Sequence, residues 1–220
     1  MPRESKAKRG ERAGRILARL KEQYPRVETP LNWRTPFELL LATILSAQCT
    51  DAKVNEVTRD LFKRYRKPAD LAAAEPADIE PQIRATGFFR NKAKSIVGAA
   101  RAIQQEHGGT VPRTMDELTA LPGVARKTAN VVLQAAFGVN EGVVVDTHVA
   151  RVSIRLKLTV RAKGDAVRIE QDLMSLWPRD DWGRAGFALT WHGRSVCTAR
   201  KPDCAACRLR DLCPSADKAG

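Results

Sequence analysis

Residues 121–138 read LPGVARKTANVVLQAAFG, and the order of residue types in this stretch decides the fold. Pro122-Gly123 sets a tight turn. Val131, Val132, Leu133, Ala135 and Phe137 give the next helix an apolar body, which Gly138 ends. Just upstream, MDELTA (115–120) follows Thr114, which stands at capping-box spacing from Glu117. The whole segment, about 115–138, reads as a helix-hairpin-helix, although an ordinary αα-turn shares much of the local pattern. In such a hairpin the second helix begins with N–H groups that have no intrahelical partner, and its dipole favours an anion. Gly123, Ala125 and Arg126 are therefore candidates for holding a phosphate without reading sequence.

Helical spacing extends outward from this hairpin. Ile16, Leu17, Leu20 and Tyr24 line one face of an early helix that stops at Pro25. PFELLLATILSAQ, opened by Pro36, is apolar almost all round, as a helix at the centre of a bundle must be. Asp51 is placed to cap a helix bearing Val54, Val57, Leu61, Phe62 and Tyr65. Asn91 is placed to start another, which carries Ile96, Val97, Ala100 and Ile103 and closes at Gly108-Gly109. Val143 to Val145 is apolar but too short to build a sheet. The fold class is all-α, in two helical lobes. We assign 31–140 to a six-helix domain with the hairpin, and 11–30 plus 141–213 to a second domain. Residues 1–10 read as a disordered basic tail and 214–220 as a terminal tail.

The chain has 220 residues, with 38 Lys and Arg against 25 Asp and Glu, a formal charge of +13. That balance points to a polyanion, nucleic acid first. No apolar run is long enough to span a bilayer, so no membrane role is expected. No apolar stretch follows the basic opening residues, so no secretory signal is expected and the cytoplasm, at the nucleoid, is the expected location. Two blocks hold five bases and no acid each, 84–101 and 151–163, and read together as a phosphate-tracking surface. Aromatic residues are only 5%, too few for a base-stacking platform.

Arg126 and Lys127 sit in the first turn of the hairpin's second helix, where the dipole disfavours positive charge by about 0.3–1 kcal/mol each. A docked phosphate accounts for one. The other is a second phosphate contact or a lysine whose ammonium is destabilised, and hence a nucleophilic amine. Asp146, in VVVDTHVAR, reads as an N-cap or as a carboxylate able to take a proton from an amine. Cys197, Cys204, Cys207 and Cys213 give C-x6-C-x2-C-x5-C, a density that favours a metal or cluster over disulfides. The spacing matches neither a paired-knuckle zinc ribbon nor the common ferredoxins, so zinc and [4Fe–4S] both stay open on the residues alone. Arg200 and Lys201 make the intervening loop a candidate phosphate grip. Cys49 reads as a small core residue.

These motifs in combination resemble the endonuclease III family of DNA base-excision glycosylases: PFELLLATILSAQCTD, TGFFRNKA, LPGVARKTANVVL, VDTHVARV and the four-cysteine loop, in that order, from about Arg12 to Cys213. The resemblance implies a [4Fe–4S] cluster on Cys197, Cys204, Cys207 and Cys213, and a DNA cleft between the lobes. It implies Lys127 as the nucleophile and Asp146 as its acid partner in a bifunctional glycosylase/AP lyase that excises oxidised or saturated pyrimidines. It places Gln48 where a side chain fills the vacated gap, and Phe88 where an apolar wedge props the opposite strand. The implied partner is double-stranded DNA containing damaged pyrimidines or abasic sites, met by a monomer. Departures from the family's pattern are Ala125 where Gly is usual, Phe88 where Leu is common and Phe89 where Tyr is frequent. At Ala125 a helical backbone is the expectation, which would make Ala slightly better than Gly. The competing readings are an adenine-mismatch-type monofunctional glycosylase, which usually lacks the lysine and carries a further C-terminal domain, and a non-catalytic DNA-binding module.

Overall fold

The computed structural model describes residues 4–162 and 164–216. Among these residues all regular structure is helical, as the periodicity requires. In chain order the α-helices are α1 (Lys6–Gln23), α2 (Pro36–Leu45), α3 (Asp51–Arg64), α4 (Pro68–Ala72), α5 (Pro76–Ile83), α6 (Phe89–Glu106), α7 (Met115–Ala120), α8 (Arg126–Phe137), α9 (Thr147–Arg155), α10 (Ala166–Met174) and α11 (Trp182–Ser195). None of the described helices is long and apolar enough to cross a membrane. The described residues divide into two compact units: 29–139, and a unit that joins 4–28 to the segment from 140 onward.

The first unit is organised around α2. Pro36 occupies its first turn, Thr35 caps it through the Glu38 N–H, and every residue from Phe37 to Leu45 is buried. The one acid among them, Glu38, is held by Arg34 through paired side-chain bonds and the Arg34 backbone N–H. α3, α6 and α8 pack against α2, and α4 and α5 pack on α6. In the second unit α11 packs against α1 and α9, and Trp177 donates its indole N–H to the carbonyl of Ala13 at 3.0 Å. The run Val143–Val145 is buried against α11, where Gly186 admits it: a Cβ there would lie 3.2 Å from the Val144 nitrogen.

Several boundaries differ from expectation. The basic tail is shorter than 1–10, because Ser5 accepts a bond from the Lys8 N–H and starts α1 at Lys6. Glu4 then pairs with Arg12. Residues 1–3 of that tail and 217–220 of the terminal tail lie outside the described residues. The cap of α3 is Thr50, not Asp51, because the Thr50 hydroxyl reaches the Lys53 N–H and Asp51 becomes the first helical residue. α6 starts two residues before Asn91, at Phe89, behind a left-handed Phe88. Cys49 is half-buried just past α2, so it is not a core residue.

The hairpin is seated on α6 by two side-chain-free surfaces. A Cβ on Gly98 would meet Pro122 at 3.1 Å, and one on Gly123 would meet the Ser95 Cβ at 2.5 Å. Gly123 also has φ +76°, the third-position geometry of a turn closed by the Val124 N–H to Leu121 carbonyl bond. Gly123→Ala therefore meets both a left-handed penalty and a collision. It should destabilise the protein by about 2 kcal/mol or more in chemical denaturation. A loss under about 0.5 kcal/mol would mean the turn relaxes without Gly.

Candidate active site and cluster loop

α8 starts differently from its neighbours. Ala125 is its N-cap, with φ −88° and ψ 165°, and no side chain caps the helix. The backbone at Ala125 is thus extended, not helical as expected from the sequence, yet its negative φ imposes no need for glycine. The first intrahelical bond runs from Ala129 to the Ala125 carbonyl, so the N–H groups of the first turn are presented beyond the turn Leu121–Val124. Gly123, Ala125, Arg126 and Lys127 are all exposed around this end.

Asp146 caps α9 in the other unit. Its Oδ1 accepts from the N–H groups of His148 (2.8 Å) and Val149 (2.7 Å), while its Oδ2 meets the Thr190 hydroxyl at 3.3 Å. One carboxylate oxygen is committed to backbone, and the other faces the Thr190 hydroxyl, which also meets the Gly186 carbonyl at 3.1 Å. Thr190 carries no sequence signal except its place on α11. Gln48 and Phe88 are brought onto neighbouring loops of the first unit. Both are exposed, and both hold left-handed backbone, at φ 53° and 48°. Phe88 is 63% exposed, so it does not anchor to the core as a hydrophobic staple would. Phe89 instead meets the guanidinium groups of Arg84 and Arg90, 5.9 and 5.4 Å from its ring centre.

Much of the acid-free charge turns inward. Of the first block, Lys92 is buried and Arg101 donates to the carbonyls of Ala72 and Ala74; Arg84, Arg90 and Lys94 remain on the surface. In the second block Arg151 donates to the carbonyls of Gly193 (2.7 Å) and Cys197 (3.1 Å), and Arg155 to those of Thr198 and Ala199. Arg161 faces Asp172, and Lys163 lies outside the described residues. These blocks are therefore not continuous phosphate-tracking surfaces. Buried carbonyls need donors, and a guanidinium supplies several. The i, i+4 spacing of Arg151 and Arg155 on α9 was the available signal, since it puts both on one helix face.

The loop those arginines hold carries the four cysteines. All four thiols line one cavity with Val152, Leu156 and His192. The Arg155 Nη1 lies 3.3 Å from the Cys197 Sγ, and the Leu209 N–H is 3.4 Å from that of Cys207. The buried His192 spans the Tyr24 hydroxyl at Nδ1 and the Cys207 Sγ at Nε2, 3.6 Å away. Its burial pushes its pKa down to about 4. A neutral ring suits both contacts, accepting from tyrosine and donating to sulfur. Burial, reinforced by the neighbouring sulfurs, pushes the Cys207 and Cys213 thiols up, so deprotonating the set requires positive charge among them. An all-sulfur donor set suits zinc or an iron–sulfur cluster. Zinc would draw its four sulfurs to within about 2.3 Å of one point. Among the described residues no three His, Cys, Asp or Glu side chains converge closely enough to hold a single ion. The four thiols instead line one cavity together, and four thiolates are the donor set that an iron–sulfur cluster takes. Arg200 and Lys201 are exposed on the outside of the loop.

An uncapped hairpin helix in one unit and a four-thiol loop in the other define a class of protein. Residues 41–179 match the HhH-GPD superfamily of base excision DNA repair proteins, and 197–213 match the iron–sulfur binding domain of endonuclease III. The chain belongs to that superfamily and, within it, to the endonuclease III family. It is 55% identical over 210 residues to the endonuclease III of Synechocystis sp., covering 96% of this chain and 95% of the relative. It is 40% identical to that of Escherichia coli K12 over 215 residues, covering 97% and 98%. A solved non-covalent endonuclease III–DNA complex superposes with a TM-score of 0.87 at 41% identity, over 95% of this chain and 97% of that one. A trapped covalent endonuclease III–DNA intermediate superposes with the same score, identity and coverage. A thermostable thymine-DNA glycosylase shares the fold at 22% identity, with a TM-score of 0.84. The cofactor is accordingly a [4Fe–4S] cluster. Stripping it leaves half-buried thiols with no cation between them. Trypsin should then cut after Arg200 on the order of tenfold faster than in the loaded protein, read by mass spectrometry; equal rates would mean the loop is ordered without the cluster.

Proposed function

We propose that this chain is a bifunctional DNA glycosylase and AP lyase that removes oxidised or saturated pyrimidines from duplex DNA and cuts the strand, working as a monomer in the cytoplasm. What carries the reading is a lysine in the first turn of a hairpin helix that no side chain caps, in a chain that superposes on a relative trapped covalently on DNA. A monofunctional glycosylase has no use for an amine there, and a docking module has no use for it together with Asp146.

The chemistry begins with docking. The N–H groups at the start of α8, with Gly123 and Ala125 leaving the approach clear, hold a phosphate of the strand. Arg126, and Arg200 and Lys201 on the cluster loop, add long-range attraction that salt weakens. The damaged nucleotide is extruded, because C1′ is screened inside the stack and a lesion is cheaper to unstack. Gln48 fills the gap, and Phe88 wedges between bases of the opposite strand. Asp146 takes a proton from the Lys127 ammonium. The Lys127 Nζ then attacks C1′, the glycosidic electron pair leaves with the base, and the base takes up a proton. The sugar ring opens as O4′ is protonated, leaving a protonated Schiff base between Lys127 and C1′. That iminium acidifies C2′; loss of a C2′ proton expels the 3′ phosphate oxygen, and water then hydrolyses the imine and frees Lys127. When bound, the cluster supplies the iron–thiolate bonds that staple the loop bearing Arg200 and Lys201.

Borohydride trapping on a duplex with one oxidised pyrimidine tests the assignment. The wild-type protein should give a covalent adduct, and Lys127→Ala should lose it by about 10³-fold or more. An adduct that survives in Lys127→Ala moves the nucleophile elsewhere. Asp146→Asn should slow excision by about 10²–10⁴-fold. Asparagine caps a helix as well as aspartate does, so thermal stability and DNA affinity should stay near wild type. An equal fall in stability and rate would reduce Asp146 to a cap.

A further inference from the structure

Lys92 is the least expected base in the molecule. It is 5% exposed, on the buried face of α6 among Ala93, Ile96 and Val97. Its Nζ donates to the carbonyl of Leu45 at 2.8 Å and to that of Thr86 at 2.7 Å. Its own N–H donates to the carbonyl of Phe88 at 3.1 Å. Burial pulls its pKa below the usual lysine value, against which the nearby Cys49 thiol, when ionised, acts in the opposite direction. Burying an ammonium against neutral carbonyls is costly, and an unbranched apolar side chain would fill the same space without that cost. The two acceptors explain what the charge achieves. Leu45 is the last residue of α2, three before Gln48; Thr86 is two before Phe88. Each loop carries a non-glycine residue with left-handed backbone, a conformation that costs about 1–2 kcal/mol and persists only where surrounding structure imposes it.

We infer that Lys92 is a positioning residue that ties the stem of the Gln48 loop to the stem of the Phe88 loop, so that gap filler and wedge enter the duplex as one preset unit. The inference rests on the roles proposed above for Gln48 and Phe88. One ammonium meets both stems, so a shift of either loop away from the other breaks a bond to Lys92. Phe88 is held twice, through the Thr86 carbonyl and through its own. The clamp does not touch Lys127, and its effect is confined to substrates that must be opened.

Two substrates separate this role from simple stability. Excision of an oxidised pyrimidine from duplex DNA needs the wedge; cleavage of a single-stranded abasic oligonucleotide needs only the amine. Taking the ratio of the two rates on one preparation cancels any loss of folded protein. Lys92→Met keeps the length and removes the donors, and should lower that ratio about tenfold or more. Lys92→Gln, which keeps two N–H donors without the charge, should lower it less and serves if the first variant does not fold. Phe88→Ala should also lower the ratio, and the double variant should fall no further than the worse single one, because both act on one unit. A second readout needs no chemistry: 2-aminopurine opposite a non-cleavable abasic analogue should brighten when saturated with wild-type protein, and this rise should be lost with Lys92→Met. An unchanged ratio, or losses that multiply in the double variant, or undiminished brightening, overturns the clamp. A wild-type protein that brightens the probe in a Lys92-dependent way yet cleaves no abasic site would leave the clamp standing and sink the lyase.

Discussion

Everything proposed for the hairpin depends on the contact in which Gly123 lies against Ser95 and Pro122 against Gly98. Six helices are closed at their N-termini by side chains, Ser5, Thr35, Thr50, Thr114, Asp146 and Asp165 each accepting a backbone N–H, whereas α5, α6 and α11, like α8, have no such cap. α8 has Ala125 in that place and two cations in its first turn. Lacking a cap costs about 1 kcal/mol, and the cations add to it. A helix end that is costly in isolation persists where packing fixes the backbone around it, and here α6 supplies that packing. The arrangement favours an anion over a side chain at the helix start, which is the physical content of calling it a phosphate site.

The second general feature is where positive charge goes. A formal charge of +13 invites the view that basic residues form an electrostatic footprint. Part of it is bonded to backbone carbonyls instead. Arg12 donates to the carbonyls of Leu156 and Leu212, Arg101 to Ala72 and Ala74, Arg151 to Gly193 and Cys197, and Lys92 to Leu45 and Thr86. Most of these acceptors lie at or just past helix ends, where the last carbonyls have no partner within the helix. In a protein of short helices joined by tight loops such carbonyls are numerous, and long cations reach them from neighbouring helices. The bases left on the surface, among them Arg84, Arg90, Lys94, Arg200 and Lys201, form a smaller and more local set.

That division explains what was legible in the sequence. Helix periodicity, the Pro-Gly turn and cysteine spacing are local patterns, so the all-helical fold, the hairpin and the four-thiol loop could be read directly. Cap positions slipped by a residue or two at Thr50 and Phe88, because competing caps differ by less than a kcal/mol and tertiary packing chooses between them. The extended backbone at Ala125 was missed because it follows from where the hairpin docks. The inward roles of Lys92, Arg101, Arg151 and Arg155 were invisible for a similar reason. Their acceptors are backbone carbonyls as far as 47 residues away, and a carbonyl leaves no mark in a sequence. Thr190 and His192 escaped likewise, since each acts on a residue of another element.

The two kinds of site are also built to different tolerances. The cluster loop is defined redundantly: Arg151, Arg155, His192 and the Leu209 N–H all bear on it before any iron–sulfur bond is counted. Such redundancy suits a part whose task is to keep one shape. The loops of Gln48 and Phe88 are the reverse, exposed at their tips, strained at one residue each, and joined to one another at their stems by one ammonium. A tip that must enter stacked bases cannot be buried in its own protein, so its order has to be imposed from below. Strain concentrated at the tip with support concentrated at the stem is the physical form that requirement takes, and it sets an aromatic residue that is 63% exposed two residues from a carbonyl held by a buried lysine.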